Sequence, residues 1–407
     1  MKADSAPAPA GGLRILYVWD HEYPWDIRVE KTSSALVNRG HTVALTARNR
    51  PHLPVLEARP EATVHRLRPR PDLGRRLDAA LMFPAFFNPI WIAHIRRTAR
   101  AHRADLILCR ELPLAPTAIY VARSFGIPLV LDLGEDYPGM LMQLYNRRDF
   151  RLVNLLVRNP YLAGLIERWC VRRADGVLVV TDSAAQRVRR LGAKRIEIVG
   201  NTPTAERIAS LGQLQRPARA PGDPLRLVYL GLLETARGID LALEAMALLV
   251  RRGANVTLDL IGTDHDNRFA AVARQLGVAD CVHFHGYVPQ DQAIVRMAAA
   301  HIGLMPHHIS RHIRTTLPNK LFDYMAAGLP VIATDAAPVR HVLETESCGL
   351  VHPDGAAAAL ADCVMTLEDA ALRCRMGQAG RRAVELRYNW PADAERLCSF
   401  IGDISAR

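Results

Sequence analysis

The chain has 407 residues, 49% apolar and 23% charged, which is ordinary globular composition and length enough for two or three domains, so wholesale disorder and fibrous architectures are excluded. Its formal charge of +11 is unevenly spread: residues 1–210 hold 32 Lys and Arg against 20 Asp and Glu, whereas residues 211–407 hold 20 against 21. The first half is therefore expected to face something anionic, with nucleic acid, an anionic membrane surface and a phosphorylated substrate as candidates.

Residues 1–12 contain a single lysine and no apolar core, and read as a disordered tail rather than a secretory signal. From Leu13 an apolar run (LRILYVW), a polar loop (DHEYPWDIRVE), a helical stretch ending at Gly40 and a second run (HTVALTA) spell a βαβ unit. DLILC (105–109), IPLVLDL (127–133), GVLVVT (176–181) and IEIVGN (196–201) are near-continuous apolar runs between helical segments, the mark of parallel strands buried on both faces. Ligands of such sheets bind beyond the carboxyl ends of the strands, which directs attention to residues 19–22, Arg110, Glu111, residues 132–136 and Thr181. The first domain is drawn over 13–205. The Pro-, Gly- and Ala-rich stretch 206–224 reads as a linker.

A second domain, 225–385, repeats the pattern with LRLVYLG, VTLDLIG, VHFHG, IGLMP, PVIAT and GLVHP as strands. Residues 386–407 are expected to form a final helix packing back on the first domain. The predicted fold is α/β, two doubly wound Rossmann-like domains facing a central cleft. Residues 79–95, the longest apolar stretch, are interrupted by Pro84, Asn88, Pro89 and His94 and fall short of the roughly 20 apolar residues of a spanning helix. The seven cysteines are scattered without a CxxC pair, against a disulfide framework or zinc site, so a cytoplasmic location is expected.

Neither first strand is followed by GxGxxG, and no GxxxxGK[ST] occurs. In GLLETARGIDLALEA (231–245), a strand ends at Gly231, a loop carries Arg237 and Gly238, and a helix follows. Backbone N–H groups and a guanidinium can there converge on a phosphate, the alternative being a plain tight turn. In TTLPNKLFDYMAAGLPVIATD (315–335), Lys320 and Asp323 share a helical face that Gly328 ends; Lys320 is one of only four lysines. The alternative there is an ordinary surface ion pair. His307, His308 and His312 cluster without the carboxylate or thiolate spacing of a metal site, and no metal is expected.

The two-domain plan, G-x-L…R-G at 231–238 and NKLFDYMAAGLPVIA at 319–333 resemble glycosyltransferase family 4, retaining GT-B enzymes that use sugar nucleotides. DIRVEKTSSALVNRGHTVALT, VVTDSAAQRV, VGNTP, HFHGYVP and YNW support the resemblance, which covers nearly the whole chain. It implies a donor diphosphate held by Arg237 and Gly238 with Lys320 as second cation, and a ribose held by Asp323. Gly231, Gly262, Asn319 and Leu321 complete the donor side, and the base meets the backbone of Tyr287 and Val288. His21, Arg28, Arg110 and Glu111 fall on the acceptor side, with Asp132 and Glu135 as acceptor-positioning or general-base residues. The chain departs from the pattern at Leu232, where relatives often have arginine, at Thr315 for a glutamate, and at Gly134 for a histidine.

The implied reaction is metal-independent transfer of a hexose-type sugar from a UDP- or GDP-sugar co-substrate, without other cofactor, to a glycan acceptor. Same-face attack, with the departing phosphate taking the acceptor's proton, needs no carboxylate nucleophile; if the enzyme inverts instead, His21 is the base. LMFPAFFNPIWIAHIRR joins Phe83, Phe86, Phe87, Trp91 and Ile95 to Arg96, Arg97 and Arg100. It reads either as an interfacial element on anionic lipid, which implies a lipid-linked acceptor and peripheral membrane contact, or as a core or dimer helix. Transfer to a soluble small molecule and a catalytically silent nucleotide-sugar-binding protein are the alternatives. Nucleic-acid binding is not expected, for lack of a recognisable module.

Overall fold

A computed structural model describes residues 11–24, 26–50, 52–70, 72, 74, 77, 78, 81–83, 86–145, 158–214, 219–265, 267–311 and 313–406. The expected N-terminal tail lies outside these residues except for Gly11 and Gly12. The chain divides into two units, residues 1–201 with 393–407, and residues 202–392.

In the first unit β1 (Arg14–Glu22) leads through α1 (Ile27–Asn38) to β2 (Thr42–Arg48), and a short hairpin, β3 (Leu56–Ala58) and β4 (Thr63–Arg66), extends that edge. The crossovers continue with α2 (Pro89–His102), β5 (Leu106–Arg110), α3 (Ala115–Phe125), β6 (Leu129–Leu133), α4 (Tyr137–Leu144), α5 (Pro160–Val171), β7 (Gly176–Val179), α6 (Asp182–Leu191) and β8 (Ile196–Ile198). The eight strands run in the order β3-β4-β2-β1-β5-β6-β7-β8, parallel except for the β3–β4 pair. Central strands such as LVLDL in β6 are buried at every position, as their unbroken apolar reading requires.

The second unit opens with α7 (Ala205–Gly212), so the segment read as a linker is helical at its start. Thr204 caps this helix, and Ile208 and Leu211, three apart on one face, pack with Leu321 and Met325. There follow β9 (Leu225–Leu230), α8 (Ile239–Arg251), β10 (Val256–Ile261), α9 (Arg268–Gln275), β11 (Val282–Gly286), α10 (Gln290–Ala299) and β12 (Ile302–Met305). The unit continues with α11 (Asn319–Ala326), β13 (Val331–Thr334), α12 (Ala337–Thr345), β14 (Gly349–His352), α13 (Ala357–Thr366) and α14 (Ala370–Leu386). Its six strands are all parallel, in the order β11-β10-β9-β12-β13-β14. The last helix, α15 (Trp390–Ser405), belongs to the first unit from Asp393 on, where Phe400, Ile401 and Ile404 are buried.

The aromatic and basic segment before β5 is a core helix on one face. Trp91 and Ile95 are fully buried, the Trp91 Nε1–H donating to the Met82 carbonyl at 3.1 Å, and α2 turns Arg96, Arg97 and Arg100 to solvent. Phe83 and Phe87, by contrast, are exposed. No described helix is long and apolar enough to cross a membrane.

One side chain ties the second sheet together where its order changes direction. Tyr324 is fully buried with its ring over Gly303 of β12, where a Cβ would lie 2.5 Å from the ring, and its hydroxyl accepts the Leu230 N–H of β9 at 2.9 Å. Tyr324→Phe orphans that N–H and is expected to cost about 1–3 kcal/mol in urea denaturation, with an unchanged m-value.

Candidate functional site

Each sheet has one point where successive strands lie on opposite sides of the first strand, between β1 and β5 and between β9 and β12. Loops leaving such neighbours diverge and open a crevice, the usual binding place in open α/β sheets.

In the second unit the crevice is shaped by backbone approach. A Cβ on Gly238 would lie 1.8 Å from the Pro306 carbonyl oxygen and one on Gly262 1.8 Å from the Gly231 carbonyl oxygen, and both residues have positive φ, so no side chain fits at either. Gly238 ends a short turn, Thr235–Arg237, and starts α8, whose first N–H groups no side chain caps. Arg237 projects from that turn, with Glu234 4.0 Å away. Lys320, in the first turn of α11, places its ammonium 3.9 Å from the centre of the Tyr229 ring and 3.0 Å from where a Gly231 side chain would begin. Among the described residues no carboxylate pairs with Lys320. Burial first, and then the Arg237 guanidinium, hold Lys320 well below its ordinary pKa. An ammonium, a guanidinium and open helix N–H groups around glycine backbone are a site for a polyanion.

The other expected donor residues divide. Gly262 donates its N–H to the Gly286 carbonyl at 2.9 Å, which brings the ends of β10 and β11 together, and beyond them Tyr287 is 83% exposed with Val288 half-buried. Asn319 is exposed, but Leu321 is fully buried and packs in the core rather than lining a crevice. Asp323, expected at a ribose, is gripped by Arg207 of α7, whose Nε and Nη2 donate to its two oxygens at 3.0 and 3.1 Å. His308 pairs with Asp354 at 2.7 Å and stands 3.5 Å from Asp240, and it is a structural tie between loops. His307 is buried beside Tyr229, and His312 lies outside the described residues. Among the described residues no group of three or more His, Cys, Asp or Glu is arranged to hold a metal ion.

In the first unit Asp132, expected to meet an acceptor, is closed off. It is 1% exposed, takes the Arg28 guanidinium at 2.6 Å, and accepts from Arg110 and from the Tyr17 hydroxyl, each at 3.2 Å. Burial pushes its pKa up, but Arg28 and Arg110 more than reverse this and bring it down to about 2, so it is a fixed counter-ion and not a base. Arg28 also donates to the Val199 and Gly200 carbonyls, and so is structural as well.

Glu111 differs. It sits just past β5 at φ +60°, a strained conformation for a glutamate, and its Oε1 accepts the Gly134 N–H at 3.0 Å. Its Oε2 is buried with no hydrogen-bond partner. A Cβ on residue 134 would lie 2.9 Å from Glu111 Oε1 and 3.1 Å from Arg110 Nη1, so the glycine there makes room for these two side chains. Burial pushes Glu111 up to about 8; Arg110 opposes, while Glu135 and Asp132 add to the rise. Glu111, Arg110, Glu135 and His21 all line one cavity of about 750 Å³. His21 Nδ1 is 2.7 Å from the buried Asp20 carboxylate, and that hydrogen bond raises the imidazole's pKa. Asp136 is the cap of α4, accepting the Gly139 N–H at 3.0 Å.

Folded Glu111 keeps its proton up to about pH 8, whereas the unfolded chain releases it near pH 4.5. The folded state thus binds more protons in this window, and its stability falls as pH rises through it. Glu111→Gln is expected to flatten the dependence of Tm on pH between about 5 and 8; an unchanged slope refutes this assignment.

Two family profiles match the chain, a glycosyl transferase 4-like domain over residues 26–202 and glycosyl transferases group 1 over residues 224–369. Phosphatidyl-myo-inositol mannosyltransferase of Mycobacterium tuberculosis is 26% identical over 396 residues, 95% of this chain and 94% of the relative. Amylovoran biosynthesis glycosyltransferase AmsK of Erwinia amylovora is 27% identical over 169 residues, 41% of this chain and 42% of the relative. The crystal structure of Anabaena Alr3699/HepE in complex with UDP superimposes with a TM-score of 0.67 at 16% identity, covering 96% of this chain and 99% of that one. The chain spans 64% and 60% of the length of the first two curated relatives it matches. The chain belongs to the family 4 type of glycosyltransferases, and its fold is that of the GT-B members.

Proposed function

We propose that the chain transfers a sugar from a UDP- or GDP-sugar, bound at the β9/β12 crevice of the second unit, to a glycan acceptor carried on a lipid and met by the first unit, in polysaccharide or glycolipid biosynthesis. The observation that carries this reading is the pair of cations, Arg237 beside Gly238 at the open start of α8 and Lys320 against Gly231 at the end of β9. Donor and acceptor classes draw support from the UDP held by the Anabaena neighbour and from the acceptor and polymer named in the mycobacterial and Erwinia relatives.

The chemistry follows from the charges. The bond from the anomeric carbon to the diphosphate oxygen breaks, and a bond from that carbon to the acceptor oxygen forms. In the retaining course the acceptor's proton passes to the departing phosphate oxygen. Negative charge grows on the diphosphate, where a guanidinium, an ammonium and backbone N–H groups stabilise it most as the bond breaks. His21 held by Asp20 favours a second reading, inversion with the imidazole as base; the anomeric configuration of the product by NMR separates the two. A chain that binds nucleotide without turnover is the silent alternative, and product formation excludes it.

Lys320→Ala and Arg237→Ala are each expected to weaken UDP or GDP binding at least tenfold by calorimetry, with Tm of the free protein little changed. Unaltered affinity in both removes the site. Burial and the Arg237 guanidinium hold Lys320 below its ordinary pKa, and a bound diphosphate pushes it back up. Nucleotide binding at alkaline pH is therefore expected to take up protons, read from the buffer dependence of the binding enthalpy, and Lys320→Ala to abolish the uptake.

A further inference from the structure

The amino ends of β6, β7 and β8, opposite the end of the sheet where the crevice opens, surround a cavity of about 600 Å³. Five cations line it: Arg123 in the last turn of α3, Arg172 and Arg173 just after α5, and Lys194 and Arg195 just before β8. Asp175 is the one acid among its described lining residues. Apolar side chains complete the wall, among them Ile119, Ile127, Pro128 and Ile404.

These cations are positioned without being neutralised. Arg172 lies along Gly192, where a Cβ would stand 3.1 Å from its Cγ and its Nε, and that Nε donates to the Leu191 carbonyl at 3.1 Å. Arg195 Nη1 donates to the Asp403 carbonyl at 3.0 Å, and the Arg173 guanidinium lies 4.4 Å from the centre of the Trp169 ring. Asp175 is itself engaged, its Oδ2 accepting the Leu129 N–H at 2.8 Å. Among the described residues none of the five cations pairs with a carboxylate, whereas Arg14, at the same end of the sheet on β1, is held by Asp105 at 2.6 Å.

Helix ends answer part of this charge. α3, α5, α6 and α15 all finish at this end of the sheet with about half a negative charge each, and together with Asp175 they offset about three of the five positive charges. About two remain, in a concave site with an apolar wall. That is the complement of a phosphate dianion carried on an apolar body, since guanidiniums with free N–H groups match phosphate oxygens in geometry as well as in charge. Part of the positive excess of the first half of the chain is thus gathered at one cavity, away from the crevice.

We propose that this cavity is an effector site for a small phosphate ester, the phosphate held among Arg172, Lys194 and Arg195 and the apolar body against Ile127, Pro128 and Ile404. Its volume is in the size range of small-molecule sites. Leu129 opens β6 at this cavity and Leu133 ends it about 13 Å further on, at about 3.3 Å per residue, so the occupant is neither the donor nor the acceptor of the reaction. A bound phosphate links Arg172, after α5, to Arg195, which already grips the last turn of α15 through the Asp403 carbonyl, and so fastens that helix to the sheet. The site stands independently of the transferase reading.

The probe is phenyl phosphate, compared with inorganic phosphate, titrated by calorimetry into the full chain with UDP present to fill the other anion site. Phenyl phosphate is expected to bind about fivefold or more tightly than inorganic phosphate and to raise Tm. Arg123→Ala/Lys194→Ala removes two exposed cations whose side chains make no hydrogen bond or ion pair among the described residues. This variant is expected to bind phenyl phosphate about tenfold or more weakly, with UDP affinity and the Tm of the free protein unchanged. Lys194→Arg, which keeps the charge, is expected to retain the affinity. Equal phenyl phosphate binding by parent and double variant, or no advantage of phenyl phosphate over inorganic phosphate, overturns the proposal. Sedimentation with phosphatidylglycerol vesicles tests a lipid surface as the source of the phosphate: vesicle binding lost in the double variant, with no phenyl phosphate binding by the parent, overturns the effector site in favour of a membrane contact. A missing response to UDP overturns the transferase reading alone.

Discussion

A single buried carboxylate decides what the first unit offers a ligand. Asp132 is tolerated in the core only because two guanidiniums and a tyrosine hydroxyl satisfy it; removing one partner would leave an uncompensated charge. Its ionisation has a cost next door. Burial pushes up the pKa of Glu111, which follows Arg110 in the chain, and the Asp132 charge adds to that rise although Arg110 opposes it. Two acids at adjacent strand ends are thus driven apart, one a permanent anion within the fold, the other a proton carrier facing a cavity. Divergence of this kind between neighbouring acids is how proteins assign different duties to the same functional group.

In the second unit the governing constraint is space. Carbonyl oxygens of Pro306 and Gly231 stand where side chains at 238 and 262 would begin, so the strand ends close to backbone contact and the first turn of α8 stays bare. Tyr324 performs the matching task from below by joining β9 and β12 where the crevice opens. Charge enters last, through Arg237 and Lys320, and Lys320 is maintained in an unfavourable state that an anion relieves. Arg207 on Asp323 shows that the same helix face also carries an internal ion pair, so the acidic member of the motif is satisfied within the protein itself.

Strands and domain plan were legible because a doubly buried parallel strand has to be apolar at nearly every position, a pattern that little else imitates. Gly231, Gly238, Gly262 and Lys320 were legible for a related reason: close backbone approach admits only glycine, and a lysine in an arginine-rich chain stands out. What failed to show depended on partners distant in the chain. Asp132 reads as a site residue until Arg28, 104 positions earlier, is seen upon it, and Asp323 until Arg207, 116 positions away, is found. Trp91 and Ile95 with three arginines suit a lipid surface and an amphipathic core helix equally, since composition records neither which face is covered nor by what. The start of the linker segment hides a helix because only two of its eight residues, Ile208 and Leu211, are large and apolar, which makes a faint period. The sequence displays the glycine at 134, but not that the Arg110 and Glu111 side chains occupy the room beside it, because that contact joins residues more than twenty positions apart.

The course of the chain between its units has a consequence for how the protein is made. The second unit is inserted into the first between Asn201 and Asp393, with the Gly200 N–H bonded to Asp393 on one side and the Trp390 N–H to the Pro203 carbonyl on the other. The first unit's core is complete only when Phe400, Ile401 and Ile404 arrive, with Phe400 set against the bare face of Gly176 in β7. On a ribosome the first unit consequently waits, with the Gly176 face of β7 uncovered, until the second unit has been translated and Phe400, Ile401 and Ile404 follow it out.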